Sequence, residues 1–425
     1  MLTSTDTVSG KVKQSRRTHY VQDALLGVLP IVFCVQFLGW LTFFPNALRG
    51  HADFRQLYVA GYMVRTGHRT QLYDYAEQTY LQNMLVSNDE LAVPFIRPAY
   101  QALLFVPFSL LPYGAAYLGF LFLNLLMLAV VYLLLKPRMR RLSRVWPGLP
   151  PAMFLGFYPV SLALMQGQDS ILLLALLAGA LVSLEQDRES AAGALIGIGL
   201  FKFQIVTPIV LLFLLWRRWR FARGFAASAM LVSLLSLLTI GWSQSVVFGR
   251  SLLSVGAGLP GATGAINFPL RVSVMANLRG LVYGLAGSRA SWLWLQAVTI
   301  LLSLLVLIWI WVRGRGQWQG GAALVLAVTA SVVVSYYLFI HDLSILLIPI
   351  VLTLDRFIGR EKVGEPGLAT AVMSVLLFVA PMCVFVIPGQ FYLVAILIYL
   401  FLYVLTMVQG ELGKPSKAVV SDSGV

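Results

Sequence analysis

A chain this apolar has few residues able to do chemistry, and those few recur at the ends of its apolar runs. Asp53 and Arg55 open a polar stretch that closes on Arg97 before Pro98. Gln168-Asp169 stands between two apolar runs, Lys202-Phe203-Gln204 between two more, and His341-Asp342 ahead of another; Arg271 lies in a glycine-rich stretch. Carboxylates can take a proton from a hydroxyl, lysine and arginine can hold an anion, and carboxamides can hydrogen-bond a hydroxyl-rich ligand. Each residue also has a plainer reading. Asp53 heads a segment of helical character and could simply cap it. Lys202 could snorkel to the headgroups, and Arg97 could anchor its segment to lipid phosphate. His341 could hydrogen-bond Asp342 or backbone, but a histidine at the end of such a run titrates near neutrality and is harder to set aside. A metal held by His51, Asp53 and His341 is weakly supported, because the stretch holds no Asp-x-Asp, and no metal or other cofactor is expected.

The elements that must position these groups are membrane helices. The 425 residues are 59% hydrophobic and 11% charged, with mean hydropathy +0.82, against about 25% charged in a soluble domain. Apolar runs of 18 or more residues without alternation imply helices rather than a barrel. The net charge of +14 fits basic residues held in cytoplasmic loops, and no soluble stretch is long enough to host nucleic-acid binding. Cys34 and Cys383 sit in apolar runs and read as small hydrophobes. No cleavable signal peptide is evident, and no Asn-x-Ser/Thr sequon occurs, which permits a bacterial origin.

Lys11, Lys13, Arg16 and Arg17 precede the first apolar run and place the N-terminal tail, 1–23, in the cytoplasm. Residues 45–112 then form a first external loop with two surface helices, one from Asp53 to Gly67 and one from near Asp74 to near Asn88. The segment 98–111, about 14 residues between prolines, is too short to cross a bilayer, which takes roughly 20. It reads as a re-entrant helix, so that the basic run Lys136–Arg141 falls inside. The crossings expected are 24–44, 113–135, 149–166, 169–185, 190–202, 205–216, 223–243, 290–312, 320–340, 343–355, 367–387 and 390–409. The fold expected is therefore an all-α polytopic bundle of about twelve crossings in one domain, 24–410, with a cytoplasmic tail at 411–425. A second external loop, 243–290, is rich in glycine and reads either as a lid or as a plain connector. About two thirds of the 31 lysines and arginines then lie inside. With this topology Asp53, Arg55, Arg97, Gln168, Asp169, Lys202, Gln204, Arg271, His341 and Asp342 all fall on one face, which suggests a single polar cavity opening outward.

Several of these residues form a familiar order. Asp53-Phe54-x-x-x-Tyr58, Gly67, Leu72-Tyr73-Asp74 and Arg97-Pro98 are followed by Gly167-Gln168-Asp169-Ser170, Gly199-Leu200-Phe201-Lys202-Phe203-Gln204 and His341-Asp342-Leu343. This order, from about residue 20 to 410, resembles glycosyltransferase family 87. Two positions depart from it: Ile96-Arg97-Pro98 stands where members often have Tyr-Pro-Pro, and Lys202-Phe203-Gln204 where they often have Lys-Pro-Gln. The resemblance implies a GT-C enzyme taking a sugar, typically mannose, from a polyprenyl-phosphate donor on the outer face of a bacterial inner membrane. It also implies that an acid of the first external loop is the general base. On that footing Asp53 is the expected base, with His341 assisting. Arg97, Lys202 and Arg271 are expected on the donor phosphate, and Arg55, Gln168, Asp169, Gln204 and Asp342 on the sugar or acceptor. A single displacement predicts inversion. The partners expected are the donor, a lipid or glycan acceptor and membrane lipid, with no nucleic acid. A transporter or lipid flippase, and a scaffold that only binds lipid-linked sugars, are the competing readings.

Overall fold

The structure is a computed structural model that describes residues 5–88, 92–257, 272–286, 290–315, 320–358, 360, 363–384 and 391–412. All regular structure among them is helical. In chain order the helices are α1 Thr5–Asn46, α2 Phe54–Arg65, α3 Tyr75–Leu85, α4 Ala99–Phe105, α5 Tyr113–Leu135, α6 Arg140–Val145, α7 Leu149–Gly156, α8 Tyr158–Met165 and α9 Ser170–Glu185. They continue as α10 Glu189–Ile198, α11 Phe203–Leu215, α12 Trp219–Ala257, α13 Leu278–Ala286, α14 Trp292–Gly314, α15 Gly320–Val334, α16 Leu347–Phe357, α17 Glu365–Cys383 and α18 Phe391–Leu412. Seven runs among the described residues are long and apolar enough to cross a membrane: α1, α5, α10 with α11, α12, α14, α17 and α18. The other expected crossings fall on shorter elements, α7 with α8, α9, α15 and α16. The chain is an integral membrane protein built as a polytopic helical bundle.

Sequence explains the irregular places. Pro159 opens α8 and lacks an amide hydrogen, so α7 and α8 meet at a break at Phe157 rather than as one helix. Gln36 of α1 donates to the Gly156 carbonyl (2.5 Å) beside that break, and Trp40 Nε1 donates to Ser161 Oγ (2.9 Å) just beyond it. Residues 190–216, expected as two short crossings, form a hairpin whose two ends lie together. Ser190 Oγ donates to the Arg220 carbonyl (3.0 Å), and Glu189 pairs with Arg218. At Gly193 a Cβ would lie 2.8 Å from the Phe225 amide nitrogen, so only glycine lets α10 lie this close to α12.

The start of the expected second loop is helical. The crossing placed at 223–243 breaks at Gly241, whose φ +75° and ψ 174° are not helical, and a second helical segment of α12 follows the kink to Ala257. The glycines of that loop from Gly258 onward, Arg271 and the C-terminal tail from 413 lie outside the described residues. The segment 98–111 does not run the length of the bundle. Its helix α4 has seven residues, about 10 Å at 1.5 Å per residue, and Tyr58 Oη donates to the Leu111 carbonyl (2.9 Å), returning the chain to α2.

Contacts sort the loops into two ends. At one end Arg138 pairs with Glu185, Arg141 amide donates to Asp355 (2.7 Å), and Arg360 pairs with Glu411 at 3.2 Å. At the other end stand Asp53, Arg97, Asp169, Lys202 and Asp342. Helix α9, 16 residues long, separates the two by about 24 Å. A small aromatic core supports the second end. Phe54, fully buried, stacks on Phe120 (5.2 Å between centroids) and meets Phe105, Phe108, Tyr113 and Tyr117.

Candidate active site

Asp53 occupies the position before α2 but does not cap it. An N-cap residue usually has extended backbone, which aims its side chain back at the first amides. Asp53 is already helical (φ −59°, ψ −17°) and makes no side-chain cap bond. Asp74, with ψ 112°, shows the contrast: it caps α3, accepting from the amides of Ala76 (2.9 Å) and Glu77 (3.4 Å). The capping alternative for Asp53 is thereby set aside. Its Oδ2 instead accepts from Gln168 Nε2 at 2.7 Å. The turn between α8 and α9 that carries Gln168 also meets the backbone of α2. Gln166 Oε1 accepts from the Asp53 amide (3.0 Å), and the Gln166 carbonyl accepts from the Phe54 amide (2.9 Å).

From Gln168 a ladder of alternating charge runs inward. Arg97 donates to Gln168 Oε1 (3.1 Å) and pairs with Asp169 Oδ2. Asp169 also accepts from Gln101. Lys202 Nζ lies 3.1 Å from Asp169 Oδ1, a charge contact without hydrogen-bond alignment. The same ammonium donates to Ser170 Oγ (3.0 Å) and pairs with Asp342 Oδ1. Asp342 completes its shell with Ser170 Oγ (3.1 Å) and the Phe339 amide (3.1 Å). His341 Nε2 stands 3.5 Å from Asp342 Oδ1, too far for a good hydrogen bond. Burial pushes its imidazole down to about 3, against a smaller upward pull from Asp342, so the ring is neutral near pH 7. With Asp53 counted, three carboxylates face two fixed cations, so Asp53 and the ladder together carry one net negative charge.

Of the residues expected at one site, the structure brings together Asp53, Arg97, Gln168, Asp169, Lys202, His341 and Asp342. Arg55 turns elsewhere: it is buried and donates to the Ser87 carbonyl at 2.7 Å. Gln204 is buried in the first turn of α11, its Oε1 without a hydrogen-bond partner among the described residues. Arg271 lies outside them. Asp169, Lys202 and Asp342 are each 2% exposed or less, whereas the Arg97 side chain is 13% exposed. Sequence reasoning missed Gln101, Gln166 and Asn124, whose Nδ2 donates to the Gln168 carbonyl at 3.3 Å. Signals for two of them were present. Gln101 is a lone carboxamide in the apolar segment that follows Arg97, and Asn124 is a lone carboxamide inside an apolar crossing, which is costly unless paired.

Among the described residues no cluster of three or more histidine, cysteine, aspartate or glutamate side chains stands ready for a metal. What the arrangement offers is a held carboxylate beside a partly open guanidinium, on the side of the bundle away from its basic loops. Comparison with known proteins finds no match among curated proteins and none among solved structures. The family model for glycosyltransferase family 87 matches residues 95–336. That match takes in Arg97, Gln168, Asp169 and Lys202, with Asp53 before it and His341 after it. It covers more than half of the 425 residues, and the chain belongs to glycosyltransferase family 87.

Proposed function

We propose that this membrane glycosyltransferase moves mannose from a polyprenyl-phosphate donor to a hydroxyl of a lipid or glycan acceptor, with inversion and without a metal. The donor class and the sugar rest on the family resemblance. Membership of the family removes the ground for a transporter or a scaffold. The observation that carries the mechanistic reading is that the side chain of Asp53, at the head of a helix, makes no cap bond to that helix and accepts from Gln168 instead. The basic loops gathered at the opposite end support a cytoplasmic position for that end and for both termini. The site then faces the extracytoplasmic side of a bacterial inner membrane.

In this reading Asp53 removes the proton of the acceptor hydroxyl as its oxygen attacks the anomeric carbon. The bond from that carbon to the donor phosphate breaks on the opposite face, and the phosphate leaves with the electron pair. Fixed donors suit the charge that grows there. Arg97, the more exposed of the two ladder cations, touches the phosphate. Lys202 is enclosed by two carboxylates and a hydroxyl, so it orders the ladder and does not reach the donor. Because Asp53 and the ladder together are net negative, a further cation is needed for an anionic donor, and Arg271 is the residue proposed to supply it. Gln168 shares its carboxamide between Asp53 and Arg97 and so fixes the distance between base and phosphate. Asp169 and Asp342 are proposed to serve through Arg97 and Lys202, and Gln204 keeps an unused acceptor for a sugar hydroxyl. Neutral His341 is proposed to assist Asp53 with the proton rather than to offer a charge.

The test is Asp53→Asn in purified enzyme with a polyprenyl-phosphate mannose. Turnover falls at least ~100-fold, within the range for loss of a general base, while the melting temperature holds because no cap is lost. Activity within a few-fold of wild type overturns Asp53 as base. Activity in EDTA stays at its untreated level; a loss reversed by a divalent cation overturns the metal-free reading.

A further inference from the structure

We infer that Gln166 is a positioning residue that fixes the start of α2 so that the Asp53 carboxylate stays with Gln168; this rests on the reading of Asp53 as the base. The first amides of any helix need acceptors, and an aspartate beside them is among the best. Left alone, Asp53 would turn its carboxylate onto its own helix and be lost to an incoming hydroxyl. The turn between α8 and α9 prevents this. Gln166 supplies two acceptors to α2, its side-chain oxygen to the Asp53 amide (3.0 Å) and its carbonyl to the Phe54 amide (2.9 Å). Two residues later Gln168 draws the Asp53 carboxylate the other way, donating at 2.7 Å.

The geometry of the turn admits little else. Gly167 takes φ +58°, and a Cβ there would lie 2.7 Å from the Phe54 Cβ. The left-handed residue lets side chain 166 take the Asp53 amide and side chain 168 the Asp53 carboxylate. Its floor is tied down as well: the Gln168 amide donates to the Ala163 carbonyl (2.8 Å), and Tyr117 Oη donates to the Met165 carbonyl (2.7 Å). A single three-residue turn thus both satisfies the helix start and aims the carboxylate.

The experiment compares Gln166→Met, which keeps the volume and removes the acceptor, with Gln166→Glu, which keeps an acceptor and adds a charge. In Gln166→Met the Asp53 amide loses its acceptor while the Phe54 amide keeps the backbone carbonyl, and the Asp53 carboxylate turns back towards the start of its own helix. We expect kcat to fall roughly 10- to 100-fold, the cost of a displaced catalytic group, with KM little changed. The acid limb of the pH profile moves down, because amide donors favour the ionised carboxylate. In Gln166→Glu the plateau kcat recovers to within a few-fold of wild type. The acid limb moves up, because a neighbouring negative charge disfavours ionisation of Asp53. A structural role alone scales activity with the folded fraction and moves neither limb. Asp53→Asn is assayed beside them. If it is inactive while both Gln166 variants keep the wild-type limb and kcat, the inference is overturned and Asp53 stands as base. If Asp53→Asn is active, both fall together.

Discussion

Lys202 is the residue on which the buried charges depend. Its ammonium meets Asp169, Asp342 and Ser170, and removing it leaves two carboxylates facing each other in a space closed to water. Breaking a buried pair in this way costs about 3–5 kcal/mol. Lys202→Met is expected to lower the melting temperature in detergent markedly, and Lys202→Met with Asp342→Asn to recover part of the loss. A single variant that melts with wild type removes the ladder from any structural role. His341 sets a second expectation. Its imidazole drops from 6.5 to about 3 on folding, so between these values the unfolded chain binds the extra proton. Stability therefore declines as pH falls from about 6.5 towards 3, and is unaffected by this residue above that window. His341→Gln flattens the slope; equal slopes in variant and wild type refute it. Neither residue's partners were legible in the sequence. The types at 202, 341 and 342 mark a polar site, but the pairing of Lys202 with Asp342 spans 140 positions. Asp53 shows the same limit at one residue: cap or base depends on a ψ of −17°, which its neighbours in sequence do not dictate.

At the scale of elements, the site is held by how closely α2 approaches α4. Gly61 makes that approach possible. A Cβ at this position would lie 2.5 Å from the Phe105 carbonyl carbon and 2.9 Å from the Val106 nitrogen, backbone atoms that cannot swing aside. Gly61→Val pushes α4 from α2 at a cost of about 1–3 kcal/mol. Because Arg97 leads directly into α4, the variant is also expected to raise KM for the donor several-fold. Wild-type KM in a folded Gly61→Val enzyme would separate α4 from donor binding. Element types were well signalled, since long apolar runs admit only helices. Lengths were signalled less well. Gly241 breaks α12 with a φ of +75°, and a second helical segment follows it to Ala257 inside a stretch whose glycines read as loop. The hairpin of α10 and α11 was visible as two runs too short to cross, and Gly193 and Gly197, four apart on one face of α10, are the glycines that press it against α12.

The whole molecule sorts its charge between two ends, and this sorting can be read chemically. Cys34 and Cys383 are both exposed on the surface of apolar helices, α1 and α17. With both replaced by alanine, Asn88→Cys and Arg144→Cys place single thiols at exposed positions on opposite ends. In intact cells a membrane-impermeant maleimide is expected to label the first and spare the second; the reverse pattern inverts the orientation. The ladder has a further meaning at this scale. Its members come from α4's leading segment, the start of α9, the turn between α10 and α11, and the segment that leads into α16, and their signs alternate. The two inner members, Asp169 and Lys202, cannot lose their charge without leaving two like charges facing each other. A change made at either one alone therefore carries the full cost of an unpaired buried charge, and only a second change at a neighbour relieves it.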